Sequence, residues 1–381
     1  MDALPPASDT QVTLANWRQA PHNRWAFQHV RELLPTAEVM EDPDTRWELP
    51  RGGAVLDGIR IGKDQVTFGR WLTDSDTDGL IVLHRGAIVF ETYAHGLTPR
   101  QPHVIFSITK SLTALVVGIL AEQGKLDPEA PVTRYLPEIT GGFADTTLRH
   151  NLDMTVDLDW DETSSDPESS FARYGRAKPV GTGDLRSYLA AVGRGRGPHG
   201  HAVRYITACT DLLGWVCERV AGLPFSTLLS RLVWQPLGAE RPGYMSVDRL
   251  GAAWAGGGFS CTLRDLARLG EMVRCGGLAD GRKVVPQWWI DDILAGGDPA
   301  AWARLSWADT LPPGARYRSQ WYKTDATGNV LMAIGAFSQW LWIDRARSVV
   351  IAKLSSVAES TGATYPLEQT AFAAIAEALN R

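Results

Sequence analysis

The hydrophobic positions of this chain fall into strand-like runs near both ends and helix-like stretches between them. Residues 79–94 (GLIVLHRGAIVFETYA) hold two β-rich runs around Arg85-Gly86, which predicts a hairpin. After Pro102, Phe106-Ser107-Ile108-Thr109-Lys110 opens an apolar helix that runs through Gln123 and stops at Gly124, where glycine is favoured. That helix is apolar on nearly every face, so it belongs between other layers. Residues 125–250 change character. Loops rich in Asp, Ser, Gly and Pro alternate with short helical segments at 184–192, 209–221 and 225–234, and strand-like runs are scarce. The stretch 181–200 reads as a glycine-heavy loop, and the acidic run from Asp153 to Asp166 as a solvated one. Amphipathic helices follow at 262–275 and 285–294, then strand runs at 330–336, 339–343 and 348–354, and a final helix at about 366–380. Trp340 and Trp342 lie two apart on one strand and share a face. Strands at both ends with helices between predict a discontinuous α/β domain, residues 1–125 and 250–381, interrupted by a mainly helical domain, 126–249.

Composition narrows the class. A chain of 381 residues with 44% hydrophobic positions can bury a large core without metal or disulfide staples. A net charge of −5 argues against a nucleic-acid partner, which needs a basic face. The first residues, MDALPPASDTQVTLANW, lack the pattern of a signal peptide, and no run of 18 apolar residues predicts a membrane span. Cys209, Cys217, Cys261 and Cys275 fit neither CxxC nor a zinc spacing. A cytoplasmic protein with reduced, buried thiols is expected. The 15 Trp are unusual, and the group at 302, 307, 321, 340 and 342 is expected to split between pocket lining and sheet packing.

Three elements carry candidate chemistry. Ser107-Ile-Thr-Lys110 is the only S-x-x-K in a chain with seven Lys. Positions three apart share a helix face, so the Lys110 ammonium reaches the Ser107 hydroxyl. The helix N-terminus adds free N–H groups and partial positive charge, which favour an alkoxide and supply half of an oxyanion hole at Ser107. A desolvated lysine loses basicity and can act as a base. The same residues also read as a serine N-cap followed by a snorkelling lysine. Tyr205-Ile206-Thr207 stands at a loop-to-helix junction, where a phenol can shuttle a proton to a leaving group or simply pack the core. On the late strand, Gly335 permits close approach of a substrate backbone, the Ala336 N–H is the second oxyanion donor, and Phe337 is a pocket candidate. Gly195–Gly200 matches GxGxxG, but Pro198 and the missing strand before it defeat a dinucleotide reading. His199 and His201 lack a metal-binding partner set, and neither metal nor cofactor is expected.

With Ser107-x-x-Lys110 and Tyr205-x-Thr207 about a hundred residues apart, the chain resembles the penicillin-recognising serine hydrolases. It is similar to the class C β-lactamases, their esterase relatives and, over nearly its whole length, the 6-aminohexanoate-dimer (nylon-oligomer) hydrolase family. PHNRWAF, FSITKSLTALVVGIL, YITACTDLLGWVCERVAGL, GGGFSCTLRDLARLG and LWIDRARSVVIAKLSS carry the likeness. It implies a β-lactamase/transpeptidase-like α/β fold, with an antiparallel sheet flanked by helices. Ser107 is then the nucleophile that forms an acyl-enzyme, Lys110 its base, Tyr205 the proton relay, and the N–H groups of Ser107 and Ala336 the oxyanion hole. In place of the Lys-Thr-Gly of β-lactamases stands Ala333-Ile334-Gly335, and Thr207 replaces an Asn; both departures argue against a true β-lactamase. Ser164 stands where the nylon-dimer enzymes carry Tyr, and Gly175 where they carry an acid, so the substrate-binding set of this family differs here. The implied substrates are small linear amides or esters, turned over by a monomer or homodimer. A carboxylesterase with little amidase activity and a non-catalytic penicillin-binding-type protein are the other readings.

Overall fold

The computed structural model describes residues 7–54, 56–163, 166, 168–180 (backbone alone for 176–180), 184–324, 329–360 and 362–380. Its centre is a seven-stranded antiparallel sheet. The order across it is Arg316–Arg318, Trp321–Lys323, Val330–Gly335, Gln339–Asp344, Val349–Ser355, Thr77–His84 and Ala87–Tyr93. The two early strands form the expected hairpin. Arg85 (φ 52°) and Gly86 (φ 82°) are both left-handed, as a tight two-residue turn between twisted strands requires.

Each face of the sheet is covered by helices. On one, Trp340 packs edge-on against Phe372 and Tyr365 of the C-terminal helix Tyr365–Ala378, and Trp342 tilts against Phe372. The shared tryptophan face is therefore core, not cleft. On the other, the helix Leu263–Arg274 approaches so closely that a Cβ on Gly270 would lie 2.6 Å from Val350 and 2.7 Å from Leu341. Next to it runs the helix Ile108–Glu122, buried without a break from Ile108 to Leu120. Its all-round apolarity is satisfied because Trp289 fills the groove left by Gly118, where a Cβ would meet the indole at 2.4 Å. Gly124 (φ 68°) ends it.

Between the two sets of strands lie the helices Ser170–Val180, Leu185–Ala191, Thr207–Ala221 and Phe225–Leu229, the last continued by a π turn, Ser230–Trp234. The interval is not purely helical. Gly243–Ser246 pairs with Thr36–Val39 on one side and Phe259–Cys261 on the other, and His103–Val104 completes this four-stranded sheet. The glycine-heavy and acidic stretches are more ordered than simple loops. Leu185–Ala191 is the helix expected at 184–192, capped by the Asp184 side chain, and it takes up the first half of the stretch 181–200 that also read as glycine-heavy loop. The acidic run is solvated only in part: Asp159, Asp161 and Asp166 are exposed, but three other carboxylates turn inward. Asp153 is buried and paired with Arg318, Asp157 takes Arg204 and the Gly197 N–H, and Glu162 lies beside the site described next. The glycines at 195 and 197 press on Asp157, so this GxGxxG wraps an internal carboxylate rather than a phosphate.

Candidate active site

Ser107 caps the long buried helix, and its position is set by the residue before it. Phe106 adopts φ 45°, a left-handed conformation that costs a non-glycine residue about 1 kcal/mol and turns the chain sharply from strand into helix. One turn on, Lys110 is almost fully buried, and its Nζ donates to Ser107 Oγ (2.9 Å) and to the Gly256 carbonyl (2.5 Å). Ser107 itself is only half-buried. The nucleophile candidate thus meets solvent while its base candidate is sealed behind it. The Lys110 Nζ also lies 5.0 Å from the centre of the Tyr205 ring.

Burial lowers the Lys110 pKa to about 8, against the opposing pull of Glu162 and Asp211. At neutral pH roughly one amine in ten is then unprotonated and able to accept a proton. The two carboxylates are themselves held. Asp211 Oδ1 accepts from the Gly256 N–H (2.7 Å) and Oδ2 from the Tyr174 hydroxyl (2.7 Å). Glu162 accepts from the Thr207 N–H (3.1 Å), the Thr207 hydroxyl and the Trp160 indole N–H, and burial raises its pKa despite Lys110. Burial also raises the Tyr205 phenol, while hydrogen bonding with Ser107 and Tyr322 favours the phenolate. The Tyr205 ring is flanked edge-on by Trp307 (6.1 Å) and Tyr317 (6.5 Å), and Tyr322 packs against both of those rings. Trp307 therefore adjoins the site, Trp302 stands behind it, and Trp321 is core.

The late strand completes the arrangement. Gly335 presses against the chain just before Ser107, where a Cβ would fall 2.3 Å from the Ile105 carbonyl. That contact carries Ala336 to the Phe106 side of the serine, where it packs in an aromatic cluster with Phe27, Phe106 and Phe337. Among the described residues, neither the Ser107 nor the Ala336 N–H donates to a loop or turn carbonyl.

The structure thus brings Ser107, Lys110, Tyr205, Gly335, Ala336 and Phe337 to one region. Thr207 is buried there, with its hydroxyl spent on Glu162. Gly175 lies exposed on the helix Ser170–Val180, where an added Cβ would meet nothing within 4 Å, and Ser164 is outside the described residues. Sequence reasoning missed Glu162, Asp211, Gly256 and Tyr322. The GGG run at 256–258 was the one local sign, since three glycines before a strand mark a close backbone approach. A recess of about 460 Å³ lined by Arg46, Arg100, Glu240, Arg241 and Arg264 shares no residue with this centre.

A serine hydroxyl at a helix start, a buried amine one turn on and a phenol across from both are an arrangement suited to acyl transfer. The Beta-lactamase family model matches residues 74–374, and the chain belongs to that family as a serine hydrolase. It is 38% identical over 361 residues to the 6-aminohexanoate-dimer hydrolase of Paenarthrobacter ureafaciens, covering 92% of this chain and 90% of that one. It is 32% identical over 190 residues to Esterase EstB of Burkholderia gladioli, covering 44% of this chain and 47% of that one. Among solved structures, a candidate 6-aminohexanoate-dimer hydrolase from Bacillus anthracis superposes with a TM-score of 0.88 over 98% of each chain at 24% identity. Among the described residues no single helix is long and apolar enough to cross a membrane.

Proposed function

We propose that the protein hydrolyses small linear amides or esters through an acyl-enzyme on Ser107. The observation that carries this reading is the Lys110 Nζ, buried, lowered in basicity and 2.9 Å from Ser107 Oγ. Neutral Lys110 takes the Ser107 proton as Oγ attacks the acyl carbon. The N–H groups of Ser107 and Ala336 hold the developing oxyanion. Lys110 returns the proton through the Tyr205 hydroxyl to the leaving amine or alcohol, which departs. Water then attacks the ester, giving its proton to the Tyr205–Lys110 pair, and Ser107 is released. Tyr322, whose hydroxyl meets that of Tyr205, and Trp307 form the wall along which the substrate lies. Gly335, Phe337 and Thr207 belong to the same binding region; the resemblance adds positions 164 and 175 as further substrate-binding candidates, of which Ser164 lies outside the described residues and Gly175 is exposed on its helix. Both amides and esters fit, because relatives named for each are similar to this chain. Esters are expected to react faster, because an alcohol departs more readily than an amine.

The test is a burst of p-nitrophenol from p-nitrophenyl acetate, with covalent labelling of Ser107 by a fluorophosphonate followed by mass spectrometry. Ser107→Ala is expected to abolish both, and Lys110→Ala and Tyr205→Phe to lose most of the rate, since such units fail together. Undiminished turnover in Ser107→Ala would refute the assignment. The same proposal makes the protein a cytoplasmic monomer or homodimer acting on a small molecule. In support, its four cysteines are free and three are buried, as a reducing compartment would keep them.

A further inference from the structure

Away from Ser107, one end of the four-stranded sheet collects arginines. Arg46 follows the strand Thr36–Val39, Arg241 precedes Gly243–Ser246, Arg264 follows Phe259–Cys261 and Arg100 precedes His103–Val104. The register sets those four strand ends side by side, because Val39 pairs with Gly243, Tyr244 with Ser260 and His103 with Cys261. All four arginines line the recess of about 460 Å³, and Glu240 is the only carboxylate among the described residues in its wall. Ser107 and Gly256 lie beyond the opposite ends of two of these strands, so the recess is separate from the proposed catalytic centre.

Most of the charge around the recess is compensated. Arg46 pairs with Glu48 (2.7 Å) and Glu240 (3.2 Å). Arg264 grips Glu91 through two hydrogen bonds (2.6 and 3.0 Å), and Arg51 takes the same carboxylate (3.0 Å). Arg268 joins Glu240 (3.2 Å) to the buried Asp265 (2.8 Å). Four carboxylates thus answer four guanidinium groups. Arg100 and Arg241 are left over, since among the described residues neither has an ion pair. The Arg241 Nε is moreover buried without a hydrogen-bond acceptor. A buried donor left unanswered is costly, and the recess that Arg241 lines is the side from which an acceptor can reach its guanidinium. In a chain of net charge −5, two uncompensated cations on one concave wall are a local exception.

We infer that this recess is a second binding site, for a phosphate dianion: inorganic phosphate or the phosphate group of a small monoester. Two guanidinium groups match its two negative charges, and their planar forks suit its several acceptor oxygens. A space of this size also holds more than a bare ion.

The experiment titrates the full chain calorimetrically with inorganic phosphate, phenyl phosphate and dimethyl phosphate at constant ionic strength and about pH 8, where a monoester is doubly charged. One equivalent of inorganic phosphate or phenyl phosphate is expected to bind. Dimethyl phosphate, a monoanion like the backbone of a nucleic acid, should bind about tenfold or more weaker. Tighter binding of phenyl phosphate identifies a monoester as the ligand, and equal or weaker binding identifies free phosphate. Arg100→Gln and Arg241→Gln should each weaken phosphate about tenfold or more. Arg100 is exposed and unpaired, so its variant keeps the fold even if Arg241→Gln does not. Ser107→Ala should bind phosphate as the native chain does. The inference is overturned if neither dianion binds, if Arg100→Gln binds undiminished, or if dimethyl phosphate binds as tightly. Loss of binding in Ser107→Ala also overturns it, by placing the anion at the proposed oxyanion hole.

Discussion

Lys110 concentrates the chemistry in one atom. Its amine is buried, donates to Ser107 and Gly256, and has a pKa of about 8. The proposed base works in its neutral form, so kcat/KM for p-nitrophenyl acetate is expected to rise with pH, reach half its maximum near pH 8 and level off above it. Glu162 raises that pKa by its charge. Removing the charge in Glu162→Gln must therefore move the rising limb to lower pH, while the weakened hold on Thr207 reduces kcat. A limb that stays in place or moves upward would show that Glu162 does not act on Lys110 electrostatically. Cys209 is buried nearby with its thiol pushed up, so it stays protonated and does not compete as a nucleophile.

At the scale of elements, glycines decide how closely the supports of the site approach one another. A Cβ on Gly256 would lie 2.9 Å from Thr207 Cγ2 and 3.0 Å from the Thr207 carbonyl. Gly256→Ala should shift the carbonyl that receives Lys110, and kcat is expected to fall about tenfold or more, because small misplacements of a reacting group are costly. Gly270→Leu makes the contrast. It forces the helix Leu263–Arg274 off the sheet without touching the site, so a loss of about 1–3 kcal/mol in stability is expected, with kcat of the folded fraction retained. Denaturant titration and active-site titration of both variants separate the two effects. Equal kcat losses in both would mean that the sheet itself tunes catalysis.

At the scale of the molecule, the site and its aromatic flank are assembled from four distant parts of the chain: the N-terminal segment that stacks Trp17 on Phe106, the helix starting at Ser107, the Tyr205–Asp211 junction and the strand ending at Gly335. The first part is held by Asn23, a fully buried residue whose amide donates to the carbonyls of Ser356 and Val357, each at 3.0 Å. Asn23→Ala strands two carbonyls and should cost about 1–3 kcal/mol. It is also expected to free the N-terminal segment, which carries Trp17 and Arg18, for early cleavage in limited proteolysis. Unchanged protection of that segment would mean that the aromatic cluster alone holds it.

Much of this was legible in the chain, and the reasons are local. The hairpin at Arg85-Gly86, the buried helix ending at Gly124 and the late strands follow from periodicity and turn chemistry, which depend on neighbours in sequence. Ser107 and Lys110 are three apart on a helix, so their contact needs no knowledge of the fold. The role of the acidic run from Asp153 was not legible. A carboxylate in a polar stretch looks solvated until a distant helix buries it, as Thr207 and its neighbours bury Glu162. The shared face of Trp340 and Trp342 was evident from spacing, but only the C-terminal helix packed on it shows that face to be core. The sequence by itself determined many of the elements and the Ser107–Lys110 contact, because helical and strand repeats and tight turns are short-range physics. Only the tertiary structure decided which carboxylates face Lys110, which tryptophan adjoins Tyr205 and that Arg100 and Arg241 share one recess. Burial and the loss of solvent screening exist only once segments hundreds of residues apart have packed together.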